Sequence, residues 1–372
     1  MRQSINYTLI SMALAIFSMF FGAGNAIFPL ILGMETQDAF HWAFLGLLVT
    51  AIGGPLLGLI GSTLFHGKFT DFFAWIGRTP SAFIILVTLA LLGPFGVLPR
   101  CVTVAYAATN SLIPSIPVSV FSTLFCVSVL ICCWKQRLIL PVLGKFLSPI
   151  LIGSLLCIIY QGYSSDQPLV ESQRSGLSAF TFGISTGYDT MDLIASIYFS
   201  SGIWRLISLQ LQKTGSCSNK AIFRMTLTAG ALGCLLLAVI YYGLTGAAAH
   251  FSSYLTDVPP EQLMTHLANV TLGSTFGAVA NLAIMLACLT TVVSLTMTIS
   301  HILSSELLSG WLTYHQFVCV LMLITAMMSN FGFGMIMSII HPVVSICYPF
   351  IIAITIVNIY RKLSYRYALQ KG

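Results

Sequence analysis

The chain has 372 residues, 57% of them hydrophobic and only 7% charged, with a formal net charge of +6. Soluble domains carry roughly 25% charged residues, so this composition excludes a soluble enzyme or binding module and places most of the chain against lipid or in a packed membrane interior. The basic excess does not indicate nucleic acid, because Lys and Arg fall in short loops between apolar runs, where they set membrane orientation.

Apolar runs of about 17–25 residues can cross a bilayer as helices. Ten such spans follow one another, near 6–33, 40–65, 81–109, 118–134, 138–160, 178–203, 222–247, 273–303, 316–330 and 335–360. The first carries Phe20-Phe21-Gly22-Ala23-Gly24-Asn25-Ala26-Ile27-Phe28-Pro29. Two glycines, an asparagine and a proline weaken helix propensity where lipid demands an unbroken helix. Broken backbone at membrane depth is tolerated only where it lines a cavity or is buried in protein, and discontinuous helices of this kind hold substrates and ions in secondary transporters. The same span runs past any cleavage point, so no cleavable signal peptide is expected.

The third span contains Gly93-Pro94-Phe95-Gly96-Val97-Leu98-Pro99-Arg100, and the fifth has Lys145 near its cytoplasmic end, where a long side chain can snorkel. The sixth reads Phe180-Thr181-Phe182-Gly183-Ile184-Ser185-Thr186-Gly187-Tyr188-Asp189-Thr190-Met191-Asp192 before apolar helix resumes at Leu193. The eighth carries Ala287-Cys288-Leu289-Thr290-Thr291 and a further run of hydroxyls to Thr296. Breaks in spans one and six predict a five-plus-five inverted repeat, about 5–160 and 178–361, within a single membrane transport domain over 1–372. The expected fold class is therefore an all-α polytopic membrane protein of about ten transmembrane helices, with helices 1 and 6 discontinuous.

With the N-terminus in the cytoplasm, thirteen of the sixteen Lys and Arg fall on the inner side. They include Arg2, Lys68, Arg78, Lys135, Arg137, Lys213, Arg366 and Lys371. The outer loops hold Glu35, Asp38, Asp166, Glu171, Asp257 and Glu261, with Arg174 as their one basic residue. This asymmetry predicts that both termini are cytoplasmic.

Charges at membrane depth are Arg100, Lys145, Asp189 and Asp192. Each costs at least ~2.5 kcal/mol at the bilayer centre and so needs a partner or an aqueous cavity. Asp192 stands where the second half-helix should begin, and there it can cap free N–H groups. A direct role in ion, proton or amine binding is equally open. Asp189, one turn earlier, could meet an ammonium group. Arg100 either neutralises one of these aspartates or gates an anionic carboxylate. The hydroxyls of span eight either bond to the preceding turn or, facing unwound carbonyls of span one, suit a small hard cation. The ten Cys show no CxxC or Cys/His ligand spacing and read as small buried hydrophobes. P-loop, HExxH and GxSxG motifs are absent and the seven His are dispersed. No catalytic residue, cofactor or resident metal is expected.

These stretches resemble the branched-chain amino acid:cation symporter family, within the amino acid–polyamine–organocation superfamily. The matching residues are Phe21-Gly22-Ala23-Gly24-Asn25 with Phe28-Pro29, and Gly93-Pro94 with Pro99-Arg100. They continue through Gly187-Tyr188, Thr190-Met191-Asp192, Ser329-Asn330 and Tyr348-Pro349. The resemblance implies import of leucine, isoleucine and valine across the bacterial cytoplasmic membrane by symport with Na⁺ or H⁺. The partners implied are the amino acid and membrane lipid, with no nucleic acid and no ATP-binding subunit. A zwitterion would place its carboxylate at the half-helix start around Gly22, Gly24 and Asn25, and its ammonium on carbonyls around Ser185, Thr186, Gly187 and Tyr188. Its side chain would enter an apolar pocket from spans three and eight.

Span eight also resembles the sodium-site helix of neurotransmitter:sodium symporters. That similarity implies one Na⁺ held by the Thr290 and Thr291 hydroxyls, the Ala287 carbonyl and carbonyls near Ser18 and Phe21. Asp192 is the alternative coupling group, as a titrating carboxylate, and Arg100 with Asp189 is the expected gate or charge pair. Relatives usually have twelve spans against the ten counted here, and Asp189 stands where they carry an apolar residue. The alternative readings are a proton-coupled carrier of other neutral or cationic amino acids and, from another class, a membrane-embedded enzyme or sensor.

Overall fold

A computed structural model describes residues 2–134, 140–165, 167–213, 218–308 and 310–371, with side chains described outside 2–8, 140–148, 213 and 365–371. The expected snorkelling of Lys145 and the inner placement of Arg2, Lys135, Arg137, Lys213, Arg366 and Lys371 fall on side chains outside the described residues. The N-terminal span folds as two helices, α1 (Arg2–Phe20) and α2 (Ala23–Thr36), because the chain turns extended at Gly22, with φ −113° and ψ −169°. Pro29 lies inside α2 and has no N–H, so the Asn25 carbonyl one turn back receives no helical bond.

A helical turn then leads to α3 (Phe40–Leu47), a π-helical turn over Leu48–Ile52 and α4 (Gly53–Leu64). After the short α5 (Phe69–Phe73), the third span divides at Gly93-Pro94-Phe95-Gly96 into α6 (Arg78–Leu92) and α7 (Val97–Asn110). Next come α8 (Val118–Trp134), α9 (Leu140–Ser164), α10 (Gly176–Asp189) and α11 (Asp192–Lys213). The chain closes with α12 (Asn219–His250), the short α13 (Ser252–Leu255), α14 (Leu263–Ile302), α15 (Tyr314–Ser329) and α16 (Gly332–Lys371). Within α14 the backbone kinks at Gly273, whose φ of +72° suits a residue without a Cβ.

The second break is placed later than the glycines suggested. Residues Ser185, Thr186, Gly187 and Tyr188 are helical, and α10 ends at Asp189. The interruption is Thr190–Met191, where Met191 takes φ +59°, a left-handed conformation costing about 1–2 kcal/mol for an L-residue. The nearby glycines serve packing instead. A Cβ on Gly183 would collide with the Ala43 carbonyl, one on Gly187 with Thr50 Oγ1, and one on Gly46 with the Phe180 carbonyl. Glycine at these three sites lets α10 lie directly on α3 and its π-helical turn.

Five helical stretches among the described residues are long and apolar enough to cross a membrane: Ala23–Leu64, Arg78–Asn110, Asn219–His250, Pro260–Leu307 and Gly332–Ser364. Shorter apolar helices are Leu9–Phe20, Val118–Trp134, Pro149–Ser164 and Tyr314–Ser329. The ten spans expected from the sequence are thus matched by five clear spans and four shorter apolar helices among the described residues. The outer surface exposes Leu124, Ile131, Leu235, Leu323 and Ile346, an apolar area that water would not tolerate and lipid requires. Inside, Phe17, Ile27, Leu98, Ile194, Leu237 and Val292 are fully buried in one core. The protein is thus an all-α polytopic membrane bundle.

One loop contact fixes an end of the bundle. Arg174 lies 3.4 Å from Glu35, and the Ser172 N–H donates to Asp38 Oδ1 at 2.8 Å. The segment before α10 therefore covers the α2–α3 turn, and the basic residue that stood out among the acidic loops has an acidic partner.

Candidate functional site

The two helix breaks meet. From the first turn of α2, the Asn25 side chain donates to the Phe20 carbonyl at the end of α1. It also donates to the Asp192 carboxylate, at 3.3 Å to Oδ1 and 3.1 Å to Oδ2. Both neighbours accept only, so the amide nitrogen must face them. Asp192 opens α11, where its charge complements the N-terminal end of the helix dipole. Tyr241 of α12 donates its hydroxyl proton to Asp192 Oδ2 at 3.3 Å. Asn25, Asp192 and Tyr241 are all buried, and each side chain takes part in this hydrogen-bonded cluster.

Span eight completes the contact. Gly22 faces Thr291 of α14 so closely that a Cβ there would lie 3.2 Å from Thr291 Cγ2. The Thr290 and Thr291 hydroxyls both donate to the Ala287 carbonyl, at 2.8 and 3.0 Å. That is the ordinary bonding of a membrane hydroxyl to its own helix, and it leaves the hydroxyl lone pairs free to face a cation. Ser18 lies on the last turn of α1 and Phe21 in the break. Of the grouping expected from the sequence, the contact in evidence is that of the break at Gly22 with Thr291 of α14.

A cavity of about 20 Å³ lies between these elements. Gly22, Gly24, Asn25, Arg100, Asp192 and Thr291 line it, with Leu92, Val97 and Leu295 as apolar wall. Met19 and Phe20 of the first span and Ala195 and Phe199 of the sixth also contribute apolar wall. The space holds about one water molecule, so admitting a solute requires the surrounding helices to part. Ser185, Thr186, Gly187 and Tyr188 do not line it. Thr186 Oγ1 is turned back to the Phe182 carbonyl at 2.8 Å, and the Tyr188 ring lies 4.8 Å from that of Tyr348. The Thr190–Met191 break, with Thr190 on the cavity wall, takes the place expected for unwound carbonyls at 185–187.

The expected charge pair does not form. Arg100 of α7 donates through Nη1 to the backbone carbonyl of Asp189 at 2.9 Å, and its guanidinium carbon sits 5.6 Å from the Phe28 ring centre. The Asp189 carboxylate turns instead to His341 of α16, whose Nδ1 is 2.8 Å from Oδ1 and 2.9 Å from Oδ2. His341 is one of the seven dispersed histidines and forms no ligand spacing that would single it out. Its setting, Ile340-His341-Pro342 inside an apolar span, marks an ionisable group at membrane depth and was the signal available. Tyr241 carried no such signal. Among the described residues, no group of three or more His, Cys, Asp or Glu could hold a metal ion.

An all-α membrane bundle in which two interrupted helices meet around buried charges is the architecture by which secondary transporters hold small solutes at the midplane. Its fold is similar to a nucleobase–cation symport-1 family transporter in a closed conformation with bromovinylhydantoin bound. The TM-score is 0.64 at 15% identity, over 93% of this chain and 77% of that one. It is also similar to a manganese transporter of Eremococcus coleocola, with TM-score 0.57 at 15% identity, over 96% and 79%. The family model described as branched-chain amino acid transport protein matches residues 5–370, and the chain belongs to that family. Proteins named as branched-chain amino acid carriers in Staphylococcus aureus (strain USA300) and Staphylococcus epidermidis are each 30% identical over 363 residues, or 92% of this chain and 79% of theirs. The protein is accordingly a multi-pass amino-acid transport protein of the bacterial cytoplasmic membrane.

Proposed function

We propose that the protein imports branched-chain amino acids by symport with a cation, Na⁺ in preference to H⁺. The observation that carries this reading is the meeting of the two helix breaks around one cavity. The start of α2 offers backbone N–H groups without helical partners near Gly22, Gly24 and Asn25. Asp192 offers a buried negative charge, and Leu92, Val97 and Leu295 offer apolar wall. A zwitterion with an aliphatic side chain matches all three. Its ammonium would face Asp192 and the carbonyls at the end of α10, in place of those at Ser185 to Gly187. One methylene is worth only about 1–3 kcal/mol in an apolar pocket, so leucine, isoleucine, valine and methionine would all enter.

In this reading one transport domain spans ten helices as a five-plus-five inverted repeat, about 5–160 and 178–361, with both termini cytoplasmic. Spans one and six then occupy equivalent positions, which accounts for why both are broken and why they touch. Na⁺ would sit between the end of α1, near Ser18 and Phe21, and Ala287, Thr290 and Thr291 of α14. The proximity of Gly22 and Thr291 supports that placement.

The test is uptake of radiolabelled leucine into proteoliposomes under imposed Na⁺ or H⁺ gradients. Accumulation driven by inward Na⁺, competed by unlabelled isoleucine and valine but not by lysine or glutamate, is the expected result. Equal competition by lysine would move the assignment to a cationic amino acid carrier.

A further inference from the structure

Arg100 is 1% exposed, and neither Asp189 nor Asp192 forms an ion pair with it within 4.0 Å among the described residues. One of its nitrogens, Nη1, is committed to the Asp189 carbonyl, with Met337 Sδ 3.4 Å away. The other two, Nε and Nη2, are buried with no hydrogen-bond partner among the described residues. A buried guanidinium with two idle donors is costly unless a ligand supplies the acceptors.

The identity of the idle atoms is informative. Nε–H and one Nη2–H lie on the same edge of the planar guanidinium and point the same way, forming the fork that takes both oxygens of a carboxylate in parallel hydrogen bonds. Nη1, on the far edge, is the atom that can be anchored without spoiling that fork. Arg100 also lines the cavity at the helix breaks. Its neighbour Cys101 faces the Ala23 N–H at the start of α2, and Phe28 of α2 underlies the guanidinium. The fork is therefore held beside the end of α2 where partial positive charge collects.

We infer that Arg100 is the receptor for the substrate's carboxylate, taking both oxygens through Nε–H and Nη2–H while the Asp189 carbonyl holds the guanidinium in place. The inference rests on the transport reading above for the amino acid it names, but concerns the carboxylate alone. Arg100 and Asp192 then form a pair of opposite buried charges facing the two ends of one zwitterion, and neither is neutralised by the other. The site demands a free carboxylate whatever the side chain.

The experiment measures binding to the purified full-length protein of leucine, leucinamide, 3-methylbutylamine and 4-methylpentanoate. The proteins compared are wild type, Arg100→Lys and Arg100→Gln. Wild type should bind leucine at least about 100-fold more tightly than leucinamide, because the amide leaves the buried fork unsatisfied. In Arg100→Gln that preference should collapse to within a few-fold, with leucinamide affinity little changed, which a merely structural arginine would not produce. Arg100→Lys, a point charge without the fork, should retain part of the preference. Wild type binding leucinamide as tightly as leucine would overturn the inference, and so would an Arg100→Gln protein that keeps the wild-type preference. If wild type prefers 4-methylpentanoate or another acid to its amide yet ignores leucine, the branched-chain reading falls and the carboxylate receptor stands.

Discussion

Asn25 and Asp192, 167 positions apart in sequence, lie 3.1 Å from each other across the meeting point of two helix breaks. The same Asn25 amide also caps the Phe20 carbonyl, so one side chain ties together the end of α1, the start of α2 and the start of α11. Any movement that opens the cavity must either carry these three ends together or break this node.

Replacing Asn25 by Asp would set two carboxylates against each other at about 3 Å, where both cannot stay ionised. Leucine uptake by Asn25→Asp is expected to vanish at neutral pH and to recover partly in acid, as one carboxylate takes a proton. Exchanging the pair, Asn25→Asp with Asp192→Asn, restores one amide facing one carboxylate and should recover uptake in part. Initial rates in proteoliposomes decide this. A single Asn25→Asp protein as active as wild type at neutral pH would contradict the node.

The glycines of α10 should behave differently. Gly183→Ala drives a Cβ into the Ala43 carbonyl, and Gly187→Ala drives one into Thr50 Oγ1. Overpacking of this kind costs about 1–3 kcal/mol, and α10 cannot retreat without moving the Asp189 carbonyl that anchors Arg100. Both variants should lose several degrees of thermal stability in detergent. Gly153→Ala, where an added Cβ meets nothing within 4 Å, is the control and should lose none.

Much of this arrangement was legible from residue chemistry. Gly22 announced the first break, because glycine lowers helix propensity, whereas Pro29 proves to lie inside α2; the intramembrane aspartates marked the sixth span. Hidden from the sequence was the exact residue that leaves the helix there. Glycine at 183 and 187 signals either unwinding or close packing, and only the neighbouring α3 backbone decides between them. The pairing of Asp189 with His341 was equally hidden, since it joins α10 to α16 across 152 positions. Arg100 was visible as a charge at membrane depth, but which of its nitrogens is anchored depends on where the α10 carbonyls end.

Topology gives a prediction independent of substrate. Reporter fusions after Gly372 and within 164–176 should report opposite sides of the membrane, with the C-terminus cytoplasmic. The contact of Arg174 with Glu35 requires the segment before α10 and the α2–α3 turn to share a side, so a fusion near Glu35 should match the one within 164–176. A mismatch between those two would break the ten-span reading.

His341 offers a test of whether a proton is carried. Its side chain is 46% exposed while that of Asp189 is 9% exposed, so the imidazole reaches the surface of the bundle while the carboxylate it contacts stays inside. If this pair carries the coupled proton, His341→Gln should abolish uphill uptake driven by a pH gradient while leaving leucine exchange intact. If Na⁺ is the coupling ion, the variant should keep its Na⁺ dependence and lose only rate. Measuring both uptake and exchange in one preparation separates the two.

The sharpest separation of Na⁺ from H⁺ comes from α14. Replacing Thr290 and Thr291 together by Val keeps their shape but removes two hydroxyl oxygens beside Gly22. Among the described residues the two hydroxyls bond to the Ala287 carbonyl, so their loss leaves one carbonyl with fewer donors and costs little in folding. A Na⁺ site has few oxygen ligands to spare, so the double variant should need far more Na⁺ for half-maximal uptake, with leucine affinity at saturating Na⁺ much less affected. Asp192→Asn keeps a hydrogen-bonding group at the start of α11 but removes its charge. Under Na⁺ coupling it should slow uptake and leave the Na⁺ dependence in place; under H⁺ coupling it should permit only exchange. Uptake indifferent to Na⁺ in wild type, with the double Val variant unchanged, would remove the Na⁺ assignment and leave a proton as the coupling ion.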